Sequence, residues 1–206
     1  MKGDGEGQGG GSPEEATRLL GDLVELHREI DAEVEALAAL HAERLQCRRG
    51  CAGCCVDDLT VSPIEAERIK RGHPDLLASG KPHAKGACAF LDAEGACRVY
   101  ADRPSVCRSQ GLPLRFFFED ETGEIEERRD ICPLNQPGGP AVETLDESAC
   151  WLIGPHEHRI GMLDEAFAEA RPSLSAARAS AAGPGRQMAA APPGRIALRS
   201  LFARGD

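Results

Sequence analysis

Apolar residues recur at Leu19, Leu23, Leu26, Ile30, Val34, Leu37, Leu40 and Leu45, with charged residues filling the intervals. Spacings of three to five residues place them in one stripe along a helix. The stripe predicts a long helix over residues 13–46. Ser12 can cap it, Pro13 suits its first turn, and Glu15 can complete a capping box. The apolar face is built to pack, either on the rest of the chain or on a second copy. His27 and His41 are expected on its solvent side or at an interface. Ser62-Pro63-Ile64-Glu65 is a second capping box and predicts a helix near 63–71, stopped by Gly72 and Pro74. Residues 88–91 and 96–100 read as strands of a hairpin turned by Asp92 and Gly95. Arg103 to Arg108 begins a short helix. Leu114–Glu119 and Glu124–Arg129 flank Asp120-Glu121-Thr122-Gly123 as a second hairpin. Pro137-Gly138-Gly139-Pro140 is a loop, and helices near 141–152 and 155–170 follow.

These elements predict an α+β fold: a small, helix-rich, cysteine-cluster metal domain with short hairpins, a long N-terminal helix and a flexible C-terminal tail. The expected organisation is a flexible Gly-rich start (1–12), the amphipathic helix (13–46), a metal-binding domain (47–170) and a low-complexity basic tail (171–206). Within that tail, Ile196, Leu198, Leu201 and Phe202 form a short amphipathic stretch.

Composition changes this picture in one respect. Aromatic residues make up only 4% of 206 positions, against 23 glycines and 14 prolines. Large apolar side chains contribute most stabilisation per residue, so a further source of stability is expected. Nine cysteines are the candidate. The chain shows neither a signal-peptide pattern nor about 18 consecutive apolar residues. A cytoplasmic location without a membrane partner is therefore expected, and thiols stay reduced there. The formal net charge of -10 is a poor match to nucleic acid. The tail runs against it, with six arginines and one aspartate over 171–206.

Cys47, Cys51, Cys54 and Cys55 lie within nine residues, interleaved with Gly50 and Gly53. Thiolates bind soft and borderline metals, and a tetrahedral site takes four ligands. Cys51 and Cys54 have the spacing to face one metal from one loop. Adjacent Cys54 and Cys55 are expected to diverge. Cys88, Cys97, Cys107 and Cys132 can complete two four-cysteine sites, or one site with spare thiols. Cys150, beside Trp151, reads as a packed core residue. His73 and His83 are outside candidates for a ligand, and His156 and His158 are expected on a helix surface. Tyr100 is expected to pack and to hydrogen-bond through its hydroxyl.

Cys51-Ala-Gly-Cys54-Cys55, then Cys88-x-Phe90-Leu91, Cys97-x-Val99-Tyr100 and Arg103-Pro104-x-x-Cys107-Arg108, resembles the YkgJ-type cysteine-cluster proteins, named for a CxxCxxCC motif. The resemblance covers about residues 47–132 and implies a zinc- or iron-chelating domain. The first gap here is three residues, where the family name has two, and this sets Cys47 apart from the other ligands. Arg103 and Arg108 then read as positive groups beside the thiolates. Some proteins sharing the domain are flagellin lysine methylases, so the resemblance also admits a modifying enzyme. No glycine-rich nucleotide loop follows a strand to support that. The three-cysteine spacing of radical S-adenosylmethionine enzymes is matched by Cys47-x3-Cys51-x2-Cys54, but a long helix precedes it and no βα series follows. The expected cofactor is an iron–sulfur cluster or zinc. A homodimer or protein partner through the 13–46 helix is the alternative use of the chain.

Overall fold

A computed structural model describes residues 12–171 and 194–203. The glycine-rich start lies outside the described residues. Helix α1 spans Pro13–Leu40, with the Ser12 hydroxyl accepting from the Glu15 amide at 3.1 Å. It stops six residues short of the expected end. The chain beyond it trades helical bonds for tertiary ones. His41 Nε2 meets the Ala149 carbonyl at 2.7 Å, and the buried Arg44 guanidinium donates to the Asn135, Gln136 and Pro140 carbonyls. His41 is thus buried, not on the solvent side.

Strand β1 (Thr60–Val61) leads into α2 (Pro63–Gly72), whose capping box forms as expected between Ser62 and Glu65. Short helices α3 (Pro74–Ser79) and α4 (Ser105–Arg108) follow. Strands β2 (Leu114–Glu119) and β3 (Ile125–Asp130) form the antiparallel hairpin anticipated around Gly123. The hairpin expected over 88–100 shrinks to one bridge, Leu91 to Cys97. Arg98 spends its side chain on the Ala89 and Phe90 carbonyls instead, and the chain then coils into a 3-10 turn at Tyr100–Asp102.

The helix expected over 141–152 is absent. Arg129 captures the Val142 and Leu145 carbonyls, leaving two 3-10 turns. Strand β4 (Trp151–Leu152) then runs parallel to β2, giving the order β3-β2-β4. Helix α5 (Pro155–Ala170) matches its expected span. The amphipathic stretch of the tail returns as β5 (Ile196–Ala197), antiparallel to β1, and a 3-10 turn at Leu198–Leu201.

Two apolar cores result. In the first, the α1 stripe (Leu19, Leu23, Leu26, Ile30) packs on Ile160 and Phe167 of α5, with Ile64, Leu112 and Trp151. The stripe is thus used within the chain. Burying each of these large side chains contributes roughly 1.5–3 kcal/mol. The second core gathers Ile69, Leu77, Phe90, Leu91 and Val99 with Leu198, Leu201 and Phe202 of the C-terminal segment. Cys55, Cys88 and Cys97 lie in or against this second core. Helix α2 joins the two, giving Ile64 to one and Ala66 and Ile69 to the other. Among the described residues, no helix is long and apolar enough to cross a membrane.

Candidate metal centre

All nine cysteines are free thiols. Their positions follow from short turns. The Cys51 amide donates to Arg48 O and the Cys55 amide to Ala52 O, which coils the Cys51–Cys55 loop. Gly50, at φ +85°, lets that loop press on the next one: a Cβ there would stand 3.2 Å from the Glu94 carbonyl. The Cys88 amide donates to Cys55 O at 2.8 Å, tying a third stretch to the first. The Leu91–Cys97 bridge holds Cys97 beside it. Cys107 sits in α4, whose Ser105 amide donates to Glu65 Oε1 at 2.8 Å.

Five thiols from four stretches become electrostatic neighbours in this way. Cys55 senses Cys54, Cys88 and Cys107, while Cys107 senses Cys88, Cys97 and Cys54. Cys54 is exposed while Cys55 packs against the second core, so the adjacent side chains meet different surroundings. Their mutual interaction holds Cys54 down to about 6 and pushes Cys55 up. Burial, and then the charges of Cys88 and Cys97, push Cys107 up to about 12. Burial likewise raises Cys88 and Cys97. Four of the five thiols therefore resist ionisation, while Cys54 gives up its proton readily.

The donor set suits a soft or borderline metal, since its atoms are sulfur, several of them shielded from water. Among the described residues, no three His, Cys, Asp or Glu side chains yet stand as a closed coordination group.

The remaining cysteines have other surroundings. Cys47 is exposed, with its sulfur 3.5 Å from Asn135 Nδ2. Cys132 lies by the same asparagine, its carbonyl accepting from the Asn135 and Gln136 amides. Asn135 is fully buried and also joins the Gln46 amide to the Gly111 carbonyl. Cys51 is half-buried in its turn. Cys150 is buried beside Trp151, in line with the packing reading.

His73 pairs with Asp102 at 3.0 Å, and the His83 amide donates to Ala89 O. His156 is not on the surface as expected: it is buried, stacks on Trp151 with ring centroids 5.0 Å apart and pairs with Glu33. Tyr100 is exposed, with the Arg103 guanidinium 4.2 Å over its ring, so its part is a cation–π contact and not the expected packing.

Sequence reasoning missed a buried polar network behind Cys107. His27, expected at the solvent, is 1% exposed. Its Nδ1 accepts from Arg68 and from Arg108, the latter at 3.2 Å, so the proton rests on Nε2, which stands 3.4 Å from Glu65 Oε1. Burial, with the arginine charges, pushes His27 below its ordinary value in spite of Glu65. Burial alone would raise the Glu65 carboxyl, but His27 and the Ser105 amide outweigh it and hold Glu65 at about 2. Asp31 completes the network by pairing with Arg103 at 3.0 Å and with Arg108. Arg108 therefore points into this network. Arg103 acts on Cys97 only through its charge. The signal for His27 was present: it falls on the apolar stripe, between Leu26 and Ile30.

Fold and thiols together define a small α+β cysteine-cluster domain. Residues 46–133 match the model of the CxxCxxCC family, described as "Putative zinc- or iron-chelating domain", and this segment is similar to that family. No curated protein and no solved structure matches the chain.

Proposed function

We propose that the chain binds a transition metal through Cys54, Cys55, Cys88, Cys97 and Cys107, as an iron–sulfur cluster or as zinc. One observation carries this reading: the Cys88 amide on the Cys55 carbonyl at 2.8 Å and the Leu91–Cys97 bridge bring free cysteines of three separate stretches together. Metal binding in general is supported by the zinc- or iron-chelating description of the family. Either centre takes four cysteine thiolates, so the five grouped thiols supply enough for a cluster or for a structural zinc. Cys47, Cys51 and Cys132 are then a second tier of candidate ligands, with Cys47 and Cys132 flanking Asn135. Thiols maintained in this form suit a reducing compartment such as the cytoplasm.

Anaerobic purification with metal analysis tests the reading. A brown protein absorbing near 400 nm, with iron and sulfide bound, supports the cluster. A colourless protein with stoichiometric zinc supports the metal site and rejects the cluster. Protein isolated without metal, taking up neither zinc nor iron, rejects the whole reading.

A further inference from the structure

The C-terminal segment 194–203 carries no cysteine and lies outside the family segment, yet it reaches the ligand loops. Arg199 is the point of contact. Its Nε donates to Asp57 Oδ1 at 2.6 Å, two residues beyond Cys55. Its two terminal nitrogens donate to the carbonyls of His83 (2.6 Å), Ala84 (3.3 Å) and Ala87 (2.9 Å), on the loop that delivers Cys88. Asp57 closes the circuit, since its other oxygen accepts from the Gly86 amide at 2.8 Å. One guanidinium thus ties the Cys54–Cys55 loop to the Cys88 loop.

The segment is held firmly enough to act as a brace. Ile196 and Ala197 pair with β1, the Leu198 amide donates to Leu59 O, and the Ala203 amide donates to Leu77 O. Phe202 packs on Phe90, two residues after Cys88, with ring centroids 5.1 Å apart. Leu198, Leu201 and Phe202 are all buried. Arg195, in the same segment, instead bonds the hydroxyl and carbonyl of Thr60.

We infer that Arg199 is a positioning residue of the metal centre, and that the segment 194–203 governs how long the thiols retain their metal. The inference rests on the reading that these thiols bind metal. A rigid fork with several donors suits it, because five oriented N–H groups can bridge a carboxylate and several carbonyls at once. Lysine, a single point of charge, reproduces the bridge only in part. Partners that orient ligands without touching the metal typically alter affinity about 10–100-fold when lost.

The test uses cobalt(II) as probe, followed by its thiolate-to-metal absorption, and transfer to a chelator as the kinetic readout. Circular dichroism of each variant checks folding. Arg199→Gln should release cobalt about tenfold faster or more, Arg199→Lys should be intermediate, and Arg195→Gln should match the unaltered chain. A folded Arg199→Gln variant that releases cobalt at the unaltered rate overturns the inference. Should the variants not fold, hydrogen exchange on the unaltered chain decides. By reciprocity, cobalt must slow exchange at the Leu198 and Ala203 amides; no change there overturns the inference. If the unaltered chain binds no cobalt, the metal reading itself fails and takes this inference with it.

Discussion

Two buried positions show how much single atoms carry. Gly111 has φ +96°, and a Cβ there would run into the Cys47 sulfur and approach Asn135 Nδ2 to 3.3 Å. Gly111→Ala combines backbone strain with that collision and should cost about 1–3 kcal/mol, read as a lower urea midpoint. Glu65 makes the second case. Its folded value of about 2 lies below its ordinary 4.5. The anion therefore stabilises the fold above pH 4.5, and that contribution drains away as pH falls from about 4.5 toward 2. The full contribution is on the order of 3 kcal/mol. Urea midpoints measured at pH 7 and pH 3 should fall steeply for the unaltered chain. Glu65→Gln should be weaker at pH 7 and fall less between the two. A parallel fall in both would show that Glu65 is not the group responsible.

Helix α1 illustrates what an element does when its apolar face has a partner in the same chain. Leu23 and Ile30 are 0% exposed against α5 and its surroundings. Leu23→Asp would bury an unpaired carboxylate, a change in the class that costs more than about 4 kcal/mol. Cooperative unfolding by circular dichroism should be lost. A variant that stayed folded and merely fell from dimer to monomer would show that the stripe serves a second copy. The element was legible because Ser12, Pro13 and the stripe obey local rules. So were α2, from Ser62 and Glu65, and the β2–β3 hairpin, from Asp120 and Gly123. The failures lie where long-range bonds override local preference. Arg44 ends α1 early, Arg98 limits the 88–100 hairpin, and Arg129 replaces a helix over 141–152. At the site, clustered cysteines were visible in sequence, but the grouping of Cys54 and Cys55 with Cys88, Cys97 and Cys107 depends on tertiary contacts. Glu65, Asp57 and Arg199 read as ordinary charged residues until their partners, 40 to 142 positions away, are known.

At the scale of the whole molecule, two cores share α2, and the thiols border the smaller one. A metal held there should tie stability to loading, because an ion that binds only the folded chain adds stability by mass action. At about 100 times its dissociation constant, that amounts to about 2.7 kcal/mol. For a chain of this size, removing the metal should then lower the Tm by about 5–10 °C. Differential scanning calorimetry of anaerobically isolated protein, with and without chelator, measures this. An unchanged Tm after verified metal removal would show that the cores stand without it.

The brace made by Arg199 has a consequence for biosynthesis. Every cysteine in the sequence leaves the ribosome before residue 194 does. The sulfur atoms are all translated while the guanidinium that ties two of their loops is still to come. A nascent or prematurely terminated chain would own the full set of donors and still part with its ion quickly. Durable loading would then report that translation had run past Arg199.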